Sequence, residues 1–525
     1  MINVLEISAP TVEWMLLLPL ILIFGGAVIG VLVEAFAPRS TRYVLQTSIS
    51  VLAILGAIAA LLIQAFEEPG AQKIAMGLLS FDGPTVIFWG LLLLFGLAGV
   101  ALFAERAAGE GQSAFAASAS AVPGSPMERE AVRLKREHTE VFPLLLFTLL
   151  GMMLFASANE MITLFVALEV FSLPLYLLAS MARRRRLLSQ EAGLKYFLLG
   201  SMASGLFLYG IALLYGYSGG LTLTAVADAL DAGAANYGLL LTGLVLMAVG
   251  LLFKIGAVPF HSWTPDVYTG APTPVTGYMA IATKTAAVAA LLRVFYVALG
   301  GAAWDWQPLF AFVAIASMLV GAVVAIWQTD IKRLMAYSAI THAGFILVGV
   351  VGAVPAGEGV TVSSVGGVAF YMLTYGFATV GAFALLMVVR RAGGEANGLE
   401  AWRGLGKTNP VVAGLMTLFF LSFAGIPLTA GFIGKLAVFT SAFQGGYGWL
   451  VLVAVILSVV AAYIYLKVVV AMWFQDAEEG SQTVVTTPSL WVWSVVMLSA
   501  LATILLGILP GGVLEIMNSF SEFIR

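Results

Sequence analysis

Long apolar runs dominate this chain and limit what it can fold into. An α-helix needs roughly 20 apolar residues to cross the hydrocarbon core of a bilayer, and we identify about fourteen runs of that kind. The chain is 61% hydrophobic and 10% charged, which is typical of membrane proteins rather than soluble domains. We therefore predict an all-α polytopic membrane protein with about fourteen transmembrane helices. The predicted spans are about 13–37, 43–66, 83–104, 140–157, 160–182, 190–217, 238–257, 272–298, 308–327, 333–354, 363–391, 409–442, 448–474 and 488–509.

Several kinds of cofactor site are excluded by residue types and motifs that the chain lacks. It contains no cysteine, so thiolate metal sites and cysteine-bound iron–sulfur clusters cannot form within it. Its only histidines are His138, His261 and His342. The sequence has neither a P-loop nor a dinucleotide-binding fingerprint. We therefore expect no cofactor, metal or nucleic acid to bind this chain, and we expect its energy source to lie elsewhere.

Basic residues are concentrated in alternate loops, which predicts the orientation of the chain. Lysine and arginine accumulate in cytoplasmic loops. With the N-terminus outside, the outer segments hold only Lys73 and Arg525, although the acidic inner segment with Asp476, Glu478 and Glu479 gives no support. We predict that both termini lie on the outer side of a bacterial plasma membrane. The inner loops hold seventeen of the twenty-five basic residues: Arg39, Arg42, Arg106, Arg129, Arg133, Lys135, Arg136, Arg183, Arg184, Arg185, Arg186, Lys332, Arg333, Arg390, Arg391, Arg403 and Lys407.

A polar insertion and two interrupted spans divide the chain. The insertion, at about 105–139, begins with a small, polar stretch that favours a flexible solvated linker and ends with a charged helix-former; partner docking is the alternative. Prolines 259 and 427 interrupt spans 7 and 12, and paired interruptions are typical of inverted-repeat transporters. We predict three peripheral transmembrane helices and the insertion in 1–139, two inverted five-helix repeats, each with a broken helix, in 140–300 and 301–475, and a C-terminal transmembrane helix and tail in 476–525.

Three lysines, Lys254, Lys284 and Lys435, lie inside strongly apolar spans. A lysine near the bilayer centre costs at least ~2.5 to 3.5 kcal/mol on insertion scales, so such residues usually mark an ion or proton pathway. At 1.5 Å per residue, Glu169 lies about 21 Å from the inner end of span 5, and His342 lies about 15 Å from the inner end of span 10. We predict that these five groups form a row near the midplane. Snorkelling lysines and a purely structural glutamate are the alternatives.

Three further ionisable residues have competing interpretations. Lys195 follows Glu191 by four residues, a spacing that often only supports a helix, although Lys195 is also a candidate for the pathway. His261 follows the interruption at Pro259; it is either a satisfied core histidine or part of a proton relay. Arg293 lies near the end of span 8 and is expected to snorkel towards the interface.

Four long motifs occur in order between residues 140 and 475. They are LLGMMLFASANEMITLFVALEVFSLPLYLL, GLLFKIGAVPFHSWTPDVYTGAPTPVTGYMAIATKTA, QTDIKRLMAYSAITHAGFILVG and SFAGIPLTAGFIGKLAVF. Their succession closely resembles the antiporter-like membrane subunits of proton-pumping NADH:quinone oxidoreductase, respiratory complex I. The resemblance is strongest to members with fourteen spans, a lysine in span 12 and no long C-terminal lateral helix. The insertion departs from the common pattern.

The resemblance implies roles for individual residues. Glu169 matches the family's glutamate of span 5, and Lys254 matches the lysine of the broken span 7. Lys284 and Lys435 match the lysines of spans 8 and 12. Lys195 and His261 match residues of the family that are implicated in one hydrophilic axis with these groups.

The implied function is proton translocation driven by electron transfer in other subunits. A proton would be held on Lys254 and Lys284, pass to Lys435 and leave outward, and a Glu169–Lys254 pair that forms and opens would act as a switch. The implied partners are other complex I membrane subunits, including sister antiporter-like subunits, and NAD, FMN, iron–sulfur clusters and quinone would lie in partner subunits. The alternatives are a subunit of a multi-subunit cation/proton antiporter without a redox partner, and a scaffold beside subunits that pump.

Overall fold

Helices make up most of the described chain. The computed structural model describes residues 12–67, 70–109, 111–118, 121–122, 124–134, 136–357, 359–391, 394–477 and 483–525. The predicted position of the N-terminus, and the predictions on Lys135, Glu478 and Glu479, lie outside the described residues. The helices are α1 (Trp14–Phe36), α2 (Arg39–Glu67), α3 (Gly83–Phe103), α4 (Pro126–Arg133), α5 (Val141–Ser157), α6 (Met161–Ala179), α7 (Arg186–Ser218), α8 (Leu223–Asp231), α9 (Tyr237–Ile255), α10 (Trp263–Gly270), α11 (Thr273–Arg293), α12 (Ala303–Ile326), α13 (Ile331–Gly352), α14 (Ser364–Val388), α15 (Leu405–Thr408), α16 (Pro410–Ala424), α17 (Ala430–Gln444), α18 (Gly448–Phe474), α19 (Leu490–Ile508) and α20 (Gly511–Ser519).

Twelve helices of the described residues are long and apolar enough to cross a membrane. Two further apolar helices, α5 and α16, are shorter, and α16 and α17 together occupy the predicted span 12. The predicted helical, polytopic architecture is therefore confirmed. The number of about fourteen spans and the inverted repeats stay predictions.

Both predicted interruptions are present. Pro259 lies between α9 and α10, and Pro427 lies between α16 and α17. In each case the first half-helix ends at a glycine with left-handed backbone, Gly256 at φ 77° and Gly425 at φ 78°. Glycine adopts this conformation without the steric cost that other residues meet. Each break leaves the last carbonyls of a half-helix without helical partners, so other donors can bind them.

The centre of the molecule is formed by α11, α13 and α14. Every residue of α11 is buried, and nearly every residue of α13 and α14 is buried. The helix α3 packs against α11 and α14, although we predicted it as peripheral. Since α11 carries Lys284 and α13 carries His342, both candidate residues lie in the most enclosed part of the fold.

Two small antiparallel sheets depart from the predicted all-α fold. In the connection between α2 and α3, β1 (Gln72–Ile74) pairs with β2 (Leu79–Phe81). In the second sheet, β3 (Val389–Arg391) lies between β4 (Gly394–Glu395) and β5 (Thr483–Val485). These strands are too short to show the alternation from which a strand can be predicted.

The polar insertion packs against the chain's own inner loop. The prediction of a flexible solvated linker is therefore wrong for the described part. Phe115 is only 1% exposed. The amide of Ala116 donates to the carbonyl of Met181 at 2.7 Å, and the amide of Arg183 donates to the carbonyl of Ala114 at 2.8 Å. The charged helix predicted for the second half is present as α4.

Arg293 does not snorkel, so that prediction is wrong. Its side chain is 1% exposed and forms two hydrogen bonds with Asp82, from Nη1 to Oδ2 at 2.8 Å and from Nη2 to Oδ1 at 2.7 Å. The guanidinium also donates to Thr85 and to the carbonyl of Ala156. Because its charge is compensated by a bidentate carboxylate, Arg293 is stable in this buried position and does not extend to the interface.

Candidate proton pathway

Lys254 lies in the last turn of α9, directly before the first break. The residue is 2% exposed, and its Nζ donates to Ser172 Oγ at 2.7 Å. Four aromatic ring centroids lie 5.1 to 6.0 Å from Nζ, those of Phe171, Tyr176, Tyr196 and Phe253. Aromatic faces attract a cation at these distances, so the groups in contact with this ammonium are neutral.

Glu169 lies on α6 one turn before Ser172, and this spacing places the two side chains on the same face of the helix. Its carboxylate interacts electrostatically with Lys254. Within the described part of the chain, the two residues are not joined by an ion pair of 4.0 Å or less, and Glu169 Oε1 is buried without a hydrogen-bond partner. The predicted Glu169–Lys254 pair is therefore open in this structure, and Ser172 takes the hydrogen bond of the ammonium.

Lys284 lies in the middle of α11 and is 2% exposed. Its Nζ donates to the backbone carbonyl of Ala339 on α13, and it lies 5.9 Å from the ring centroid of Tyr375 on α14. This lysine therefore bridges the three central helices. Tyr375 also stacks on His342, with ring centroids 4.5 Å apart.

His342 is surrounded by aromatic rings and packs against the ring of Tyr375. The residue is 2% exposed, and both ring nitrogens face hydroxyl groups: Nδ1 lies 2.5 Å from Tyr371 Oη, and Nε2 lies 3.1 Å from Tyr465 Oη. Tyr465 Oη lies 2.6 Å from Ser338 Oγ, which extends the hydrogen-bonded chain. Because hydroxyls both donate and accept, either neutral tautomer of the histidine is satisfied here.

Lys435 lies on α17 and reaches back across the second break. Its Nζ donates to the carbonyl of Ala424, the last residue of α16, at 2.9 Å, and to Ser458 Oγ at 2.8 Å. The ammonium also lies 4.8 Å from the ring centroid of Phe345, whose ring contacts that of His342. A carbonyl at a helix C-terminus is a favourable partner for a cation, because the helix dipole is negative there.

Gly425 supports this position of Lys435. A Cβ atom on Gly425 would lie 2.9 Å from Lys435 Cδ and 3.1 Å from Nζ, and an alanine at left-handed φ costs roughly 1 to 2 kcal/mol. We expect Gly425→Ala to lower the thermal stability of the purified protein and to impair proton transport. Gly414→Ala is the matched control, because nothing lies within 4 Å of a Cβ atom there. Equal behaviour of the two variants would contradict the role of Gly425.

Lys195 and His261 lie outside these two clusters of contacts. Lys195 Nζ pairs with Glu191 and with Asp266 on α10, each at 2.7 Å, and its side chain is substantially exposed. Asp266 also pairs with Arg333 at 2.9 Å. The half-buried His261 lies in the first break, and its Nδ1 has no hydrogen-bond partner among the described residues. The role of both residues in proton transport stays a prediction.

Several residues that contact the predicted ones could not be singled out from the sequence, among them Ser172, Tyr371, Tyr375 and Tyr465. One signal was present, because Tyr371 and Tyr375 are four residues apart and so share a helix face. Nothing in the sequence distinguishes Ser172 from other serines in membrane helices. Among the residues that the structure describes, there is no group of three or more His, Asp or Glu side chains that could hold a metal ion.

Comparison with known proteins assigns the family. Residues 158–461 match the family model described as NADH:quinone oxidoreductase/Mrp antiporter, TM. The NADH-quinone oxidoreductase subunit N of Cutibacterium acnes is 53% identical over 99% of this chain and 97% of its own length. The chain belongs to the NADH-quinone oxidoreductase subunit N family. A second member of the subunit N family, from Nocardioides sp., is 49% identical over 99% of this chain and 100% of its own length. The resemblance found in the sequence is thereby confirmed.

Solved structures agree with membership of the subunit N family. A chain of respiratory complex I from Thermus thermophilus with bound aureothin is 33% identical, with a TM-score of 0.74 over 95% of this chain and 98% of that chain. A chain of the Mrp complex from Dietzia sp. has a TM-score of 0.78 over 97% of both chains, but it is only 19% identical. Because the sequence identity to the Mrp chain is so low, that comparison shows only that the two chains share a fold.

Proposed function

We propose that this chain translocates protons as a membrane subunit of an NADH-quinone oxidoreductase, respiratory complex I. Membership of the subunit N family supports the assignment to the complex. The series of contacts from Lys284 through His342 to Lys435 supports the transport of protons, and it is the observation that carries the proposal. Buried ionisable groups in membrane helices are costly and typically mark such pathways.

In the first cluster, Lys254 is the switchable group. Burial disfavours a charged lysine, whereas a nearby carboxylate favours it. When Glu169 closes onto Lys254, the ammonium gains its counter-ion and retains its proton. When the lysine turns to Ser172, as observed, the charge loses that counter-ion and the proton can be passed on. Redox energy from other subunits would bias this pair.

In the second cluster, protons move singly. His342 interacts electrostatically with both Lys284 and Lys435. A proton on one of these groups therefore disfavours protons on its neighbours. His342 takes a proton from Lys284 and gives one to Lys435, with water or side-chain rotation closing the remaining gaps. Lys435 releases its proton outward.

The wider arrangement follows from the same assignment. Other complex I membrane subunits, including sister antiporter-like subunits, would contact this chain in a bacterial plasma membrane, with both termini outward. Residues 140–300 and 301–475 would form the two inverted repeats, between peripheral segments at 1–139 and 476–525. Quinone, NAD, FMN and iron–sulfur clusters would be bound by partner subunits.

The test is Glu169→Gln in the assembled complex, which removes the charge but keeps the shape of the side chain. We expect the number of protons taken up per electron transferred to fall several-fold, because Lys254 loses its only proposed counter-ion. Proton uptake and NADH oxidation are measured together in sealed vesicles.

Glu160→Gln is the matched control on the same helix. Glu160 caps the N-terminus of α6 by accepting hydrogen bonds from the amides of Ile162 and Thr163. Loss of this cap costs about 1 kcal/mol of helix stability, and it removes no group that is proposed to carry a proton. We expect normal coupling in this variant. Full pumping in Glu169→Gln would contradict the proposed switch.

Purification distinguishes the two alternatives. Co-purification with NADH dehydrogenase activity supports the complex I assignment, whereas a small antiporter assembly without redox activity would contradict it. A scaffold predicts that Lys284→Met leaves pumping intact in an assembled complex. Normal assembly with lost pumping would rule out the scaffold.

A further inference from the structure

A cavity of about 310 Å³ opens on the face of the molecule that carries the predicted inner loops. Its walls come from five separate parts of the chain. They are the polar insertion, including Ser113; the inner loop at Ala182–Arg185; the connection between α10 and α11; the start of α13, with Lys332; and the region around the β3–β4 hairpin. Its lining residues do not include Lys254, Lys284, Lys435 or the groups that contact them, so the cavity is separate from the proposed proton pathway.

The walls of this cavity are strongly basic. Glu105 and Glu395 are the acidic residues among the lining residues, and Glu105 is already bound by the amide of Ser489 at 3.1 Å and by that of Ala108 at 2.8 Å. The basic lining residues are Arg183, Arg184, Arg185, Lys332, Arg390 and Arg391. Among the lining residues, six positive charges therefore face two negative charges.

Two of these arginines have no counter-ion in the described part of the chain. Arg184 and Arg185 are exposed to the cavity side, and no hydrogen bond or ion pair joins them to another described residue. Each instead interacts with a neighbouring cation, Arg184 with Arg183 and Arg185 with Lys332. Like charges held this close repel each other unless an anion lies between them.

Lys332 is a buried member of the cluster. It is 2% exposed, and its Nζ donates to the carbonyl of Ala271 at 2.8 Å and to Thr273 Oγ1 at 3.1 Å. Its nearest carboxylate, that of Glu395, lies at 4.0 Å and accepts a hydrogen bond from Thr273. Asp330 also acts on Lys332 electrostatically, but neither Glu395 nor Asp330 forms an ion pair with Arg184 or Arg185 in the described part of the chain.

The backbone holds these arginines in place. Arg185 has φ 54° and ψ 44°, a left-handed conformation that side chains other than glycine rarely adopt. Such strain persists only where the surroundings enforce it, and it clusters at ligand-binding segments. The insertion pairs with the residues just before Arg185, through the hydrogen bonds from Ala116 to Met181 and from Arg183 to Ala114.

We propose that this cavity binds a phosphate-bearing anion between Arg184, Arg185 and Lys332, and that the insertion forms one wall of the site. Guanidinium groups bind phosphate oxygens through paired hydrogen bonds, and a buried lysine adds a point charge. A volume of this order accommodates a phosphate with a small organic group. The source of the phosphate is either a soluble cytoplasmic compound or the headgroup of an anionic lipid.

Hydrogen–deuterium exchange of the assembled complex tests the proposal. The readout is the exchange rate in peptides that contain the amides of Ala116 and Arg183, whose hydrogen bonds join the insertion to the inner loop beside the cavity. At roughly ten times the Kd, a ligand slows exchange through local opening about tenfold, because opening scales with 1 + [L]/Kd. The complex is placed in phosphatidylcholine nanodiscs with inorganic phosphate, with potassium chloride at equal ionic strength, or in nanodiscs that contain phosphatidylglycerol.

The double variant R184Q/R185Q should lose this slowing of exchange. Arg403→Gln is the matched control and should retain it, because Arg403 is an exposed arginine of a predicted inner loop and does not line the cavity. Slowing by inorganic phosphate identifies a soluble ligand, and slowing only with phosphatidylglycerol identifies a lipid headgroup. Absence of slowing with both, equal slowing with chloride, or equal slowing in the double variant would overturn the proposal.

Discussion

Lys254→Met should abolish proton pumping while the complex still assembles. Methionine has a similar length and removes only the proton-carrying charge, so we expect pumping to fall at least about tenfold, since positioned acid–base groups commonly contribute 10² or more. The fold should tolerate the change, because the groups in contact with Lys254 are neutral and Glu169 forms no ion pair with it in this structure. Removing a buried charge that has no ion-pair partner also removes the cost of its desolvation.

The measurement combines proton uptake, NADH oxidation and thermal stability of the same preparation. Lys467→Met is the matched control, because Lys467 also lies in a membrane helix but donates to the carbonyl of Ile326 outside the two clusters. We expect the control to pump normally. If Lys254→Met pumps as well as the control does, the first cluster is not on the proton path.

Asp82→Asn should cause a large loss of stability. Asparagine preserves the cap on α3, because it serves as well as aspartate at this position. It leaves Arg293 as an uncompensated buried cation, which typically costs about 3 to 5 kcal/mol. Burial alone would raise the pKa of Asp82, but the charge and hydrogen bonds of Arg293 hold that pKa below its usual value, so the pair is ionised at neutral pH.

The loss should appear as a lower yield of assembled complex and a lower temperature of thermal inactivation. Asp330→Asn is the matched control, because Asp330 caps α13 through the amide of Arg333 and has no buried arginine to neutralise. In D82N/R293M the uncompensated cation is gone, and we expect much of the stability to return. A double variant no more stable than Asp82→Asn alone would show that the charge is not the cause.

The Asp82–Arg293 pair also anchors the C-terminal tail. The amide of Ile524 donates to Asp82 Oδ2 at 3.2 Å, and the ring of Phe523 lies 4.9 Å from the guanidinium carbon of Arg293. The tail therefore covers a charge pair that joins the start of α3 to the end of α11. We expect the loosening caused by Asp82→Asn to include release of this tail.

Helices and their interruptions could be predicted because each depends on neighbours in sequence. Apolar runs of sufficient length identify membrane helices, and Pro259 and Pro427 each break one locally. The burial of Lys254, Lys284 and Lys435 was also predictable, since each is embedded in its own apolar run. These features need no knowledge of which helices pack together.

Partners distant in sequence could not be predicted. Arg293 and Asp82 are separated by 211 residues, and an arginine near a helix end has the same local sequence whether it snorkels or pairs. Ser172 is separated by 82 residues from Lys254, and Asp266 by 71 residues from Lys195. The packing of Phe115 under the inner loop was hidden by the polar composition around it.

The two broken helices leave their lysines with chemically different partners. Near Lys254 the counter-charge is the carboxylate of Glu169, a side chain on another helix. At Lys435 the partner is the carbonyl of Ala424, a backbone group whose charge does not change. In the proposed pathway, a change at Glu169 would alter the proton affinity of Lys254, whereas the carbonyl beside Lys435 offers no such adjustment. This asymmetry would allow one end of the proposed pathway to be regulated while the other stays constant.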